Sequence, residues 1–274
     1  MSASPVPASR SLPLRIIPTV FFDIRRPQRM IERSLYVYKR GWLVLVSGFI
    51  EPLFYLLSIQ VGLAALVGDV ETGGKTVPYA DFVAPGLMAA AAMNGAVFEC
   101  TANVFYKIKH SKLYDAVLAT PMSAGDVALG EIGGAVARSG IYAVAFAVTM
   151  AVLGMVESAW TVLAIPAAML IGFAFASLGM ALTTFMRSWE DFEYVPAITL
   201  PLFLFSTTFY PLSQYGSWSW VVVFSPLYHG VELVRAANLG VWDGSIVGHL
   251  AVLIGLSILG LMVAARRIER LLLT

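Results

Sequence analysis

A single cysteine, Cys100, stands in 274 residues, which excludes an internal disulfide, and its apolar surroundings predict a small buried hydrophobe instead of a reactive thiol. Charged residues are scarce at 13%, about half the usual share of a soluble domain, whereas 58% of the chain is hydrophobic. That balance makes lipid the main solvent. A net charge of +1 removes any bulk attraction for polyanions, so no nucleic acid is expected as a partner. The three histidines, His110, His229 and His249, lie far apart in sequence and in expected depth, so no metal-ligand spacing is present and no bound cofactor is expected. The opening residues lack the continuous apolar core of a secretory signal. They read as a flexible cytoplasmic lead-in over 1–28.

What the chain does have is long, sparsely charged apolar runs, at 42–67, 82–106, 129–155, 160–186, 194–210 and 246–265. Since about 20 helical residues cross a bilayer, these predict an all-α integral membrane protein with six transmembrane helices in one membrane domain, 41–274. The fifth run is the shortest, and Pro196, Pro201 and Pro211 bracket or kink it. Basic residues set the orientation. Eight Lys or Arg precede the first run, three follow the second, Arg187 follows the fourth, and Arg266, Arg267 and Arg270 close the chain. All of these fall on one side, with Lys75 and Arg235 on the other, which puts both termini in the cytoplasm.

Two segments on that cytoplasmic side have patterned surfaces. Over 29–40, a helical wheel gathers Arg29, Arg33, Tyr36 and Arg40 on one face and Met30, Ile31, Ser34, Leu35, Val37 and Tyr38 around the rest. This predicts an amphipathic interface helix whose cations meet lipid headgroups while its apolar face lies at the acyl boundary. Between the second and third runs, Leu113, Val117 and Leu118 form one face of a short helix that Thr120-Pro121 stops. Ser123 and Asp126 then make a capping box for the next span. A short helix rigidly joined to two spans is suited to passing a partner's motion into the membrane.

Three separated motifs resemble the ABC-2 type transporter permeases, in particular the branch containing nodulation lipo-oligosaccharide and daunorubicin-type drug exporters. They are Phe82-Val-Ala-Pro-Gly-Leu, then Tyr114-Asp-Ala-Val-Leu-Ala-Thr-Pro-Met-Ser with Gly130-Glu131 after it, and Ser225-Pro-Leu-Tyr-His-Gly-Val-Glu-Leu-Val-Arg-Ala. The resemblance implies a permease subunit in the bacterial cytoplasmic membrane that pairs with a second permease copy, identical or paralogous. Such a subunit is driven by a cytoplasmic ABC ATPase and exports an amphipathic substrate such as a lipid-linked glycan or a hydrophobic drug. It further implies that Leu113, Tyr114, Asp115, Val117, Leu118, Thr120 and Pro121 couple to the ATPase, with 29–40 as the neighbouring connecting helix. The stretch 213–240 would form an outer-side re-entrant hairpin carrying Pro226, Tyr228, His229, Glu232 and Arg235. Its two halves are each too short to span, and Trp218, Trp220 and Tyr228 suit an interface.

ATP and Mg would sit on the partner. A phosphate-cradling loop has the form G-x-x-x-x-G-K-[ST], and Gly68-Asp-Val-Glu-Thr-Gly-Gly-Lys-Thr has five residues, not four, between Gly68 and Gly74 and falls on the outer side. Hence the chain is expected to be no enzyme by itself. Charges inside the runs, Glu51, Glu99 and Arg138, must face protein or water, and Glu99 with Arg138 is expected to form an interhelical pair. Gly130 and Gly134 permit close helix approach. Phe203, Phe205, Phe209 and Tyr210 are candidates to line a substrate route, and the acidic cluster Glu190, Asp191 and Glu193 reads as a solvated loop or a contact with basic residues of the ATPase. An ion-coupled secondary transporter is the alternative, but the chain offers neither a clear internal repeat nor a central acidic relay.

Overall fold

In a computed structural model, residues 25–272 are described. The lead-in over 1–24 lies outside them. Helix α1, Arg25–Arg40, begins four residues before the amphipathic segment expected from the wheel, so residues 25–28 belong to it. Helix α2, Trp42–Ser58, continues through a π turn at Ile59–Leu63 into Ala64–Val67. The side chain of Glu51 lies outside the described set, so its surroundings do not enter the account.

A short β-hairpin then interrupts the otherwise helical chain. Strands β1, Asp69–Thr72, and β2, Lys75–Pro78, pair antiparallel with Thr72 opposite Lys75. The two-residue loop between them has Gly73 at φ 56° and Gly74 at φ 72°. Positive φ at both positions is what the hairpin turn matching strand twist requires, and glycine adopts it without steric cost. The stretch that looks like a phosphate loop is therefore a β-hairpin, and Lys75 donates from Nζ to the carbonyl of Leu239 at 2.6 Å.

Helix α3, Tyr79–Phe98, runs on through a π turn at Glu99–Asn103 to Val104–Lys109. Small residues let its neighbours crowd in. A Cβ on Gly95 would meet the Tyr142 ring at 2.8 Å, and one on Gly86 would meet Thr208 Cα at 2.9 Å. Nearly all of α3 is buried as a result, with Asn94 and Phe98 the exposed positions in its first twenty. Around it stand α5, Ala124–Val152, α6, Ala164–Thr183 with its leading 3-10 turn Ala159–Leu163, and the later helix α9, Pro226–Leu239. The last helix, α10, Ser245–Leu272, packs on α6 where Gly260 would bring a Cβ to 2.8 Å from the Ser177 backbone.

Six spans were expected. Among the described residues four helices are long and apolar enough to cross a membrane: Tyr79–Lys109, Ala124–Val152, Ala159–Thr183 and Ser245–Leu271. The fifth apolar run yields only α7, Tyr194–Leu204, 11 residues long. At about 1.5 Å per residue it covers roughly half of a bilayer's hydrocarbon core. Pro201 withholds an N–H from the ladder, and Phe205 leaves helical geometry at φ −108°, ψ 51°. Irregular backbone then leads to a 3-10 turn, Leu212–Trp218, and helix α8, Ser219–Phe224. Pro226 opens α9 at its first turn, where a missing N–H costs nothing.

Candidate functional site

The candidate site begins at the end of the bundle that carries α1 and the short helix α4, Leu113–Leu118. Lys112 reverses the chain before α4 with φ 46°, and the turn after Leu118 leads to Ser123, whose side chain and Asp126 form the reciprocal cap that starts α5. Leu113, Val117 and Leu118 pack inward, and Asp115, Thr120 and Pro121 are exposed. Tyr114 departs from the expected pattern. Only 1% exposed, it is an anchor beneath the helix and not part of a docking surface. Burial first, and then the negative charge of Glu131, push its phenol well above the ordinary range, and its hydroxyl has no hydrogen-bond partner among the described residues.

Glu131 is the centre of this junction. Lys107 of α3 places Nζ 2.6 Å from Glu131 Oε2, and Arg33 of α1 places Nη2 3.4 Å from Oε1. The carboxylate, 2% exposed, thus ties three helices together directly above Tyr114. Helix α1 reaches it because glycines on α5 leave a groove. A Cβ on Gly130 would fall 2.6 Å from Met30 Cβ, one on Gly134 would fall 2.9 Å from Ser34 Oγ, and one on Gly133 would overlap Ile31. The close approach expected at Gly130 and Gly134 therefore seats α1, whose inward face, Pro27, Met30 and Ser34, packs on protein and not at an acyl boundary. Arg26 Nη1 also donates to the carbonyl of Pro121 at 2.6 Å. Arg29, Tyr36 and Arg40 stay exposed, as do Leu35 and Val37.

Beside the junction an aromatic cluster joins two loops. Trp189 donates from its indole to His110 Nε2 at 3.0 Å and packs edge-on to Phe105 at 5.1 Å. Of the three nearby acids, Asp191 is accounted for by the local backbone: its carboxylate accepts from the N–H groups of Arg187 at 2.6 Å and Ser188 at 3.1 Å, and these hold its pKa below the usual carboxylate range. Glu190 and Glu193 are exposed.

Deeper in the bundle, Arg138 of α5 places Nη1 2.9 Å from Glu99 Oε2 on α3 and donates from Nε to the Tyr142 hydroxyl at 2.9 Å. Both ions are buried, at 5% and 4% exposure. Asn103 donates to the other Glu99 oxygen, and the Phe98 and Tyr142 rings lie 5.6 and 5.4 Å from the guanidinium. Glu99 opens the π turn in α3, a distortion common at functional positions.

A second buried cation lies toward the opposite end. Arg235 on α9 is 3% exposed, pairs with Glu232 at 2.6 Å, and sits 4.1 Å over the Phe82 ring. It also donates from Nη2 to the carbonyl of Thr207 at 2.5 Å. Thr207 has φ 57°, an unusual value for a β-branched residue, and its hydroxyl donates to Glu232 Oε1 at 2.8 Å. No glycine at 207 announces this geometry, so sequence reasoning had no signal for it. The same holds for the histidines: His229 and His249, expected to lie apart, bring their Nδ1 atoms to 2.8 Å. His110 remains remote, on the Trp189 cluster. Pro226 starts α9, and Tyr228 packs its ring on both histidines.

Between α2, α3 and α7 opens an apolar lateral cavity of about 210 Å³, lined by Tyr55, Leu87, Asn94, Thr199, Leu200 and Phe203 among others. Of the aromatics expected near a route, Phe203 reaches this cavity and packs edge-on to Phe209 at 5.1 Å, while Phe205 and Tyr210 contact Tyr215 instead.

A helical, multi-pass membrane protein with a clamped surface helix at one end is the class these features define. Residues 28–239 match the ABC-2 type transporter family, and the chain belongs to that family. It is 32% identical over 212 residues to Nodulation protein J of Rhizobium leguminosarum bv. trifolii, covering 76% of this chain and 79% of that protein. Nodulation protein J of Sinorhizobium fredii (strain NBRC 101917 / NGR234) is 28% identical over 246 residues, 89% of this chain and 92% of its own length. The counterpart from Rhizobium leguminosarum bv. viciae is 28% identical over 225 residues, 81% of this chain and 85% of its own.

Proposed function

We propose that this chain is the membrane-spanning permease subunit of an ATP-driven exporter in the bacterial cytoplasmic membrane, moving an amphipathic substrate such as a lipid-linked glycan, a lipo-oligosaccharide or a hydrophobic drug. A separate cytoplasmic ABC ATPase binds ATP and Mg and supplies the energy, and two permease subunits, identical or paralogous, complete the transporter. The observation that carries this reading is the junction at Glu131. Its two ion pairs tie α1, α3 and α5 together beside Tyr114, the buried anchor of α4, so a push on Asp115 and Thr120 is transmitted to the three helices as a unit.

In this reading six segments span. The helix over 42–67 and the short α7 complete the count, the basic residues hold both termini in the cytoplasm, and α8 with α9 re-enters from the outer side. Arg29, Tyr36 and Arg40 of α1 face headgroups or the ATPase, with Arg33 retained by Glu131. The cavity beside Tyr55, Asn94 and Phe203 offers an apolar wall with three amide- or hydroxyl-bearing side chains, Tyr55, Asn94 and Thr199, suited to a substrate with a lipid part and a polar part. Inverted vesicles carrying the chain with its ATPase should accumulate a labelled amphipathic glycolipid in the presence of ATP. Uptake that proceeds without ATP and follows an ion gradient would contradict the proposal.

A further inference from the structure

His229 and His249 stand twenty positions apart on different helices, yet their rings meet between α9 and α10. The Nδ1 atoms are 2.8 Å apart, the ring centroids 5.0 Å, and the planes are inclined by 53°. Tyr228 covers both rings at 5.2 and 5.5 Å, and His249 is only 8% exposed. Neither the ion pairs nor the junction at Glu131 uses these side chains.

The spacing has a chemical meaning. Imidazole nitrogens bind first-row metals at about 2.0–2.1 Å, so two of them 2.8 Å apart subtend roughly 85° at a shared ion. That angle suits neighbouring positions of a square-planar or octahedral ion. A tetrahedral ion would spread the nitrogens to about 3.3 Å. Two carboxylates oppose the burial that disfavours positive charge at these rings. Glu232 lies one turn beyond His229 and acts electrostatically on both rings, and Asp243 acts on His249. Arg235 offsets one of these charges through its pair with Glu232. A cavity of about 60 Å³ opens beside His249, lined also by Glu232, Arg235, Asp243 and Ser245, and has room for water next to that imidazole. Among the described residues no group of three or more His, Cys, Asp or Glu is arranged to hold a metal. The protein would thus supply two ligands.

We infer that His229 and His249 form a two-imidazole site for divalent copper or nickel that ties α9 to α10 when occupied. The test uses the full chain, purified without a polyhistidine tag and placed in lipid nanodiscs, titrated with Cu²⁺ and read by electron paramagnetic resonance. One copper per chain is expected, with hyperfine splitting from two nitrogens. His229→Ala and His249→Ala should each weaken binding at least tenfold, and His110→Ala should leave it unchanged. His229→Gln, which keeps a hydrogen-bonding side chain between the helices, should retain the fold and lose the two-nitrogen spectrum. In a parallel thermal scan, Ni²⁺ should raise the unfolding midpoint of the unaltered chain and not of these variants. Absence of binding by the unaltered chain, a one-nitrogen spectrum, or binding unaffected by both alanine variants would overturn the inference and leave an ordinary imidazole hydrogen bond. These readouts involve no transport, so their failure leaves the export proposal standing.

Discussion

The guanidinium of Arg235 lies 4.1 Å over the ring of Phe82, joining two motifs 153 positions apart. Phe82 opens the motif that ends in the close-packed Gly86 and Leu87, and Arg235 closes the motif that begins at Ser225. Because Arg235 is buried and Glu232 is partly exposed, the two partners are not equivalent. Arg235→Ala removes the donor to the Thr207 carbonyl but leaves Glu232 partly exposed and still bonded by the Thr207 hydroxyl, and should cost about 1–3 kcal/mol. Glu232→Gln leaves the Arg235 guanidinium buried with no carboxylate and should cost more, about 3–5 kcal/mol. Thermal unfolding followed by size-exclusion fluorescence checks the order.

Thr207 carries a separable prediction. Its backbone is held at φ 57°, where a β-branched side chain is strained, and its hydroxyl bonds Glu232. Thr207→Ser keeps the hydroxyl and relieves the branching, so it should be neutral or stabilising. Thr207→Val keeps the branching and loses the bond, and should destabilise by about 1–3 kcal/mol. Equal unfolding midpoints for the two variants would contradict this.

The pair Glu99–Arg138 predicts non-additivity. Arg138→Ala leaves a carboxylate buried at 4% exposure without its guanidinium, and should lower both folded yield and export. Combining Glu99→Gln with Arg138→Met should recover part of that loss, because no unpaired charge is then buried. A double variant as impaired as the sum of its singles would show that the two residues act independently.

Glycines sort by what surrounds them. Gly130→Ala must displace Met30 and so lift α1 from α5, whereas Gly255 on α10 has nothing within 4 Å of its would-be Cβ. The first change should destabilise by roughly 1–3 kcal/mol. Gly255→Ala should be neutral or gain up to about 1 kcal/mol from helix propensity. Disulfide trapping between cysteines placed in α1 and α5 reads the displacement directly.

At Asp191 the sign of the pH effect follows from its depressed pKa. Its caps on Arg187 and Ser188 support the loop at pH values above the ordinary carboxylate range, and that support is lost as the pH falls through the lower folded-state value. Protection of the amides over 187–193 from hydrogen exchange, taken relative to their intrinsic rates, should fall under acid and already be low in Asp191→Asn.

Much of this was legible because apolar run length and capping chemistry act locally. The four long helices, the Ser123–Asp126 cap and the stop after Leu118 follow from residues next to one another. The depth of Glu99 and Arg138 was readable for the same reason, since each falls inside a long apolar run. What was not legible depends on neighbours distant in sequence. Tyr114 sits in a polar loop, and only the position of Glu131 shows that it points inward. The wheel of 29–40 is amphipathic whether its inward face meets lipid or protein; the glycines of α5 decide for protein. The Gly73-Gly74 pair was read against a nucleotide motif when its positive φ values mark a hairpin. The meeting of His229 with His249 comes from the packing of α9 on α10, which no local spacing encodes.

The central claim is that α4 docks an ATP-binding subunit through its exposed face while Tyr114 holds it from below. The most direct measurement is to purify the tagged chain gently from its native membrane and quantify the co-purifying ATP-binding protein. That protein should be recovered with the unaltered chain and with Tyr114→Phe, and lost with Asp115→Arg or Thr120→Glu in samples that remain folded. A folded chain that brings down no ATP-binding protein, or brings it down equally with Asp115→Arg and Thr120→Glu, would contradict the account.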